Sequence, residues 1–337
     1  MRKINESLTK PPVNAMLKYL IIQLDDTSTS YCHYENPRKE HRLISLEHLK
    51  AGILFAMKEN LTIQFVYPKY ELPKGHKEAI HGIDHSKIVP MGNKEKGDVV
   101  ILEGWKELDE CSLLPDIAYV LRVGKEELYR NYTQMANLLP KVSRLNVVIK
   151  DVDTFDDKDF NTYKEVLETL SKEVESLYVK GLSPQLNLLT DRMMLEEMNN
   201  CNAGWESVTL APDGKFYVCP AFYLADDEED YGLGKSKFSI GNLENGLDIK
   251  NPQLYKLSHA PLCRNCDAYQ CKRCVWLNRK MTYEVNTPSH EQCVVAHLER
   301  NASRELLLAI RKHGTFLPEM EIKEISYLDP FDIRKEW

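Results

Sequence analysis

Lys18 to Leu24 reads KYLIIQL and runs directly into Asp25-Asp26-Thr27-Ser28-Thr29-Ser30-Tyr31-Cys32-His33-Tyr34. An apolar, β-branched run this short, closed by a polar loop, predicts a strand buried on both faces. Five further runs have the same texture: Leu61 to Tyr67 (LTIQFVY), Asp98 to Leu102 (DVVIL), Ile117 to Val123 (IAYVLRV), Leu145 to Lys150 (LNVVIK) and Gln185 to Leu189 (QLNLL). Between them lie helical patterns. Leu46, Leu49, Ile53 and Met57 follow a Ser45 N-cap signal, a second stretch covers Lys125 to Leu139, and Phe160, Tyr163, Leu167, Leu170, Val174 and Leu177 end at Gly181. Strand-helix alternation with near-continuous apolar strands predicts an α/β fold around a parallel sheet, either doubly wound or curved into a partial barrel. Six such units fall short of the eight that close a full barrel.

The texture changes after about residue 196. Ser207 to Cys219 (SVTLAPDGKFYVC) predicts a β-hairpin, its turn at Pro212-Asp213-Gly214 using Gly214 for positive φ. An acidic run, Asp226 to Asp230, precedes Phe238-Ser239-Ile240-Gly241-Asn242 and a cysteine cluster. A helix is expected from about His290 to Lys312, with Val295, Leu298, Ala302, Leu306 and Ala309 on one face, then an extended strap from Phe316. The length of 337 residues suits two domains at about 150 residues each, divided here as 1–195 and 196–337. Lys and Arg total 44 against 51 Asp and Glu, a formal charge of −7, which argues against nucleic acid as the main partner. Neither a bilayer-length apolar run nor an apolar signal core is present, so no membrane contact and a cytoplasmic location are expected.

Seven of the nine cysteines follow residue 200: Cys201, Cys219, Cys263, Cys266, Cys271, Cys274 and Cys293. In a reducing compartment such spacing reads as metal ligation before disulfides. Thiolates are soft ligands that select zinc, copper(I) or iron-sulfur clusters. Four cysteines crowd into CRNCDAYQCKRC, where a zinc ribbon would place 15 to 20 residues between its pairs, so neighbouring thiols suit different metal centres. Seven ligands divide into four plus three, one closed site and one with a vacancy. The alternative is zinc, with His259 or His290 completing the three-cysteine site.

The run Cys201, Gly214, Cys219, then CxxC, two further cysteines and an isolated Cys293, together with PDG before YVCP and the FSIGN segment, resembles the SPASM domain. That domain is the iron-sulfur C-terminal extension of peptide-modifying radical SAM enzymes. Its inner cysteines are usually separated by five and three residues; this chain has four and two. Carried over by position, the resemblance implies that Cys201, Cys219 and Cys274 hold one auxiliary four-iron four-sulfur cluster, with Cys263, Cys266, Cys271 and Cys293 holding the second. It also implies a radical SAM-like partial β/α barrel ahead of a cysteine-rich α+β domain, which the six predicted strands fit.

The first loop departs from that family. Radical SAM chemistry depends on CxxxCxxC after the first strand, and only Cys32 stands there; His33 adds at most one weaker ligand. After Val66-Tyr67 comes Pro68-Lys69-Tyr70-Glu71 in place of the Gly-Gly-Glu that grips the methionyl amine. A cysteine-poor barrel with an intact SPASM-like half resembles the CXXX repeat peptide maturases. The resemblance implies an accessory, non-catalytic subunit without its own S-adenosylmethionine site. Its partners would be a catalytically complete radical SAM enzyme, in a heterodimer, and a cysteine-repeat precursor peptide. Two alternatives stand beside it: an independent enzyme using an open iron with Cys32 as a catalytic thiol, or a zinc-bound peptide-binding module. Cys32 alone reads most simply as packed or redox-active, Cys111 as packed, and His76, His81 and His85 as parts of a solvated loop.

Overall fold

The computed structural model describes residues 17–225 and 238–314. The acidic run Asp226 to Asp230 and the strap from Phe316 lie outside the described residues. Six parallel strands, β1 (Tyr19–Gln23), β2 (Thr62–Val66), β3 (Ser86–Pro90), β4 (Val99–Glu103), β5 (Ala118–Val123) and β6 (Arg144–Ile149), pair in chain order with no reversal. A doubly wound sheet reverses its order at a switch point. The monotonic order is that of a partial β/α barrel.

Five of the six predicted runs are strands; the sixth is not. Gln185 to Leu189 touches the sheet only through a Leu145–Leu186 bridge and then turns, Leu189 N–H donating to Leu186 O at 3.1 Å. Its place in the count is taken by β3, SKIVP, whose first residues are polar and whose Pro90 closes the strand where a missing donor is tolerated.

Alternation within the strands buries both faces. In β5, Tyr119, Leu121 and Val123 pack outward beneath the helices, while Val120 joins Ile21, Val66, Ile88 and Ile101 on the inner face. Helices α1 (Leu46–Lys58), α2 (Lys74–His81), α3 (Trp105–Glu110), α4 (Lys125–Asn131) and α5 (Asp157–Val179) supply the cover. Ser45 caps α1 by accepting from His48 N–H at 3.0 Å. Asp156 and Asp159 form a capping box on α5, which ends before Gly181 at φ +79°. The stretch from Lys125 gives only α4 before passing into 3₁₀ turns.

The predicted hairpin is present as β7 (Ser207–Leu210) and β8 (Phe216–Tyr217), with Gly214 at φ +81°. It is also part of the barrel sheet. β7 pairs parallel with β1, from Tyr19–Ser207 to Ile22–Leu210, extending the sheet to eight strands. The short α6 (Pro220–Leu224), the two-residue strands β9 (Gly241–Asn242) and β10 (Gly246–Leu247), α7 (Val275–Thr282) and α8 (His290–Arg311) complete the described residues, with α8 packed along α5. Among the described residues no helix is long and apolar enough to cross a membrane.

Candidate metal centres beside the barrel

The loop after β1 folds back over the carboxyl ends of the barrel strands. Ser28 Oγ donates to Val66 O at 2.9 Å, Thr29 N–H to Tyr67 O at 3.1 Å, and His33 Nδ1 lies 3.0 Å from Ile149 O. Arg122, pointing inward from β5 and 1% exposed, donates from Nε to Cys32 O at 3.0 Å and from Nη2 to Tyr34 O at 2.6 Å. Its charge is met by Glu103 at the end of β4 and by Glu35. Asp26 accepts from Arg38 at 2.9 Å and from the Tyr223 hydroxyl, tying the loop to α6. A cation buried inside the barrel thus anchors two carbonyls of this loop. Sequence reading passed over Arg122, although a lone charge within IAYVLRV was the available signal.

The anchored loop brings Cys32 to the C-terminal cysteines. Cys32, Cys201, Cys219 and Cys274 line one cavity of about 820 Å³. Burial first, then the neighbouring thiolates, pushes each of three of these thiols up: Cys32 through Cys274 and Cys201, Cys219 through Cys201 and Cys274, and Cys274 to about 12 through Cys201. Arg122 and Lys272 oppose the rise at Cys32, and the Trp276 and Leu277 N–H groups at the start of α7 oppose it at Cys274. Crowded thiols of this kind are stable as thiolates only with cations among them, and a coordinated metal deprotonates a thiol outright.

Cys263, Cys266, Cys271 and Cys293 line a second, smaller cavity with no carboxylate in its wall. Ala268 N–H donates to Cys266 Sγ at 3.5 Å and Arg273 N–H to Cys271 Sγ at 3.4 Å. Arg273 takes φ +43°, which turns the chain between Cys271 and Cys274 so that the two thiols serve different cavities. Burial and then the charge of Cys263 push the Cys271 thiol up to about 12. Neither His259 nor His290 lines either cavity. The histidine beside the thiols is His297, with Nε2 3.5 Å from Cys266 Sγ.

Two buried arginine systems hold this region. The Arg273 guanidinium donates to Asn200 Oδ1 at 2.7 Å and Tyr255 O at 2.6 Å; burial lowers its proton affinity, and Cys263, Cys201, Cys271 and Cys274 oppose that fall. Asp267, inside CRNCDAYQCKRC, accepts from Arg300 of α8 at 3.0 Å and lies 3.6 Å from Arg192.

Among the described residues no three His, Cys, Asp or Glu side chains converge closely enough to hold a single metal ion. A cubane sets its terminal thiolates farther apart than one ion does, so the fit rests on the donor sets. Two cavity walls, each carrying four cysteines and the second without a carboxylate, fit iron-sulfur chemistry. The remaining candidates are ordinary. Cys111 is partly buried at the end of α3. His76 and His81 lie on α2, not in a loop: His76 Nε2 sits 2.8 Å from Ile44 O, while His81 meets Glu95 at 3.3 Å.

Barrel order, sheet extension and cysteine-rich C-terminal segment define the class as a radical SAM-like fold. No family model matches the sequence, and no curated protein matches it. Solved structures do. Tagged anSMEcpe with bound AdoMet superposes with a TM-score of 0.59 at 11% identity, covering 88% of this chain and 96% of that one. Native anSMEcpe with bound AdoMet and Cp18Cys peptide gives 0.57 at 12% identity over 88% and 99%. Native anSMEcpe with bound AdoMet and Kp18Cys peptide gives 0.55 at 11% over 87% and 99%. At these identities the likeness is one of fold.

Proposed function

We propose that this chain is an accessory iron-sulfur subunit of a radical SAM peptide-modifying system. In this reading it carries two auxiliary four-iron four-sulfur clusters and leaves radical generation to a catalytically complete partner. The supporting observation is the first loop. The similar solved proteins bind AdoMet; here the corresponding loop has one cysteine, and Arg122, Asp26 and His33 fasten it across the strand ends.

Cys263, Cys266, Cys271 and Cys293 would hold one cluster, and Cys201, Cys219 and Cys274 belong to the other. Such clusters supply one-electron transfer at a potential set by charge and hydrogen bonding around the sulfurs. The chain's own residues supply that setting: Arg273 lies among thiols of both sets, and the Ala268 and Arg273 N–H groups donate to sulfur. Substrate holding falls to the larger cavity, where the side-chain amides of Gln64 and Asn199 stand among apolar groups and those of Asn146, Gln185, Asn187 and Asn200 are bonded within the protein. Sparse polar groups in an apolar wall suit an extended peptide backbone.

The test is anaerobic purification after co-expression with a CxxxCxxC-bearing enzyme and a cysteine-repeat peptide encoded nearby. The expected result is a brown protein containing iron and sulfide that co-purifies with the enzyme and forms no 5′-deoxyadenosine by itself. Reductive cleavage of AdoMet by the isolated chain, or uptake of zinc without iron, overturns the proposal.

A further inference from the structure

The spacing of the seven C-terminal cysteines leaves the three-cysteine set one ligand short, and the fold supplies a candidate from the other end of the sequence. We infer that Cys32, carried on the loop after β1, is the fourth protein ligand of the cluster held by Cys201, Cys219 and Cys274. The inference rests on the reading of that set as a cluster site.

Two observations carry it. Cys32 lines the same cavity as the other three thiols. Its backbone is fixed there, because the buried Arg122 guanidinium donates to Cys32 O at 3.0 Å and to Tyr34 O at 2.6 Å, so the loop position is held without a metal.

The other donors in the cavity suit an iron-sulfur cluster less well than a thiolate. His33 directs Nδ1 to Ile149 O at 3.0 Å and keeps only its imidazole Nε2 as a competing donor, a harder ligand than the Cys32 sulfur. Asp191 forms an ion pair with Arg144, at 2.6 Å from one oxygen. The Tyr31 phenol is a hard oxygen donor, poorly matched to an iron-sulfur cluster. With Cys32 in place every iron of this cluster is protein-bound, so no position is left to bind substrate. The cluster then serves as a closed carrier, and the independent-enzyme alternative loses its open iron.

The experiment compares wild type, Cys32→Ala and Cys32→Ser after anaerobic reconstitution, reading iron and sulfide content, Mössbauer spectra and electron paramagnetic resonance of the oxidised and reduced protein. Wild type is expected to hold two cubanes. Cys32→Ala is expected to lose about one iron per chain and to show a three-iron signal on mild oxidation, as a cubane with a labile corner does. Arg122 bonds the backbone of residue 32, so the alanine variant keeps the loop anchor; circular dichroism checks its fold. A second readout needs no variant: Cys32 should resist alkylation in reconstituted wild type and react after cluster removal, as followed by peptide mass spectrometry. Two cubanes in Cys32→Ala whose Mössbauer and resonance spectra match wild type and survive mild oxidation, or equal labelling of Cys32 in wild type with and without clusters, overturn the inference while leaving the two-cluster reading intact. Wild type that takes up no iron overturns both.

Discussion

Asp267 shows how much one buried charge holds in place. At 3% exposure it faces Arg300 and Arg192, each 1% exposed, and it sits between Cys266 and Cys271. Removing it would take the carboxylate away from two buried guanidinium groups. Asp267→Ala is expected to cost about 3–5 kcal/mol, read as a fall in denaturation midpoint, and to loosen both walls of the second cysteine cavity. Glu299 makes a pH-dependent contribution. Burial pushes its carboxyl up to about 7, against hydrogen bonds from Tyr163 at 2.8 Å and Gln270 at 3.4 Å. A raised acid is neutral in the fold while it is already ionised in the unfolded chain, so stability is full below the ordinary carboxylate range and declines as pH rises toward 7. The expected loss is on the order of 2 kcal/mol across that interval, the side chain keeping partial solvent access. In Glu299→Gln this decline should vanish from a stability-against-pH series.

Elements were legible where local pattern decides them. The apolar runs of β1, β2, β4, β5 and β6 are strands because both faces are buried, and the Ser45 cap and the Gly181 stop were readable for the same local reasons. SKIVP was missed because only Ile88 and Val89 show an aliphatic signal, and QLNLL was misread because its leucines pack into the core from a turn. Division of the cysteines into two sets followed spacing and resemblance. The placing of Cys32 in the same cavity did not, since residues 32 and 274 come together only through the fold and leave no trace in local spacing. At the hairpin, Gly214 combines φ +81° with a position where a Cβ would meet the His48 ring at 2.5 Å. Gly214→Ala should cost about 1–3 kcal/mol, measurable by chemical denaturation, because strain and a clash with α1 add.

Across the whole molecule, the strand after Cys201 binds the cysteine-rich half into the barrel. β1 has β2 on one side and β7 on the other, with Tyr19, Leu20, Ile21 and Ile22 in register with Ser207 to Leu210. A fragment ending at residue 195 would bare the β7-facing edge of β1 together with Leu20 and Ile22, both fully buried in the intact fold. Expressed alone, that fragment should be insoluble or self-associating by sedimentation, whereas a protein cut within residues 226–237 should stay associated after nicking; a soluble monomeric 1–195 fragment would refute this.

The same pairing orders events during synthesis. A ribosome releases β1 long before it releases β7, and domains otherwise fold as they emerge. For this chain the barrel's first strand must wait for a late neighbour, and Cys32, although its loop finds its anchors at Val66, Arg122 and Ile149 earlier, waits for the cysteines that share its cavity. The nascent protein therefore passes through an interval with an unsatisfied sheet edge and an exposed thiol, a stage at which a chaperone or a cluster-delivery protein would find both within reach.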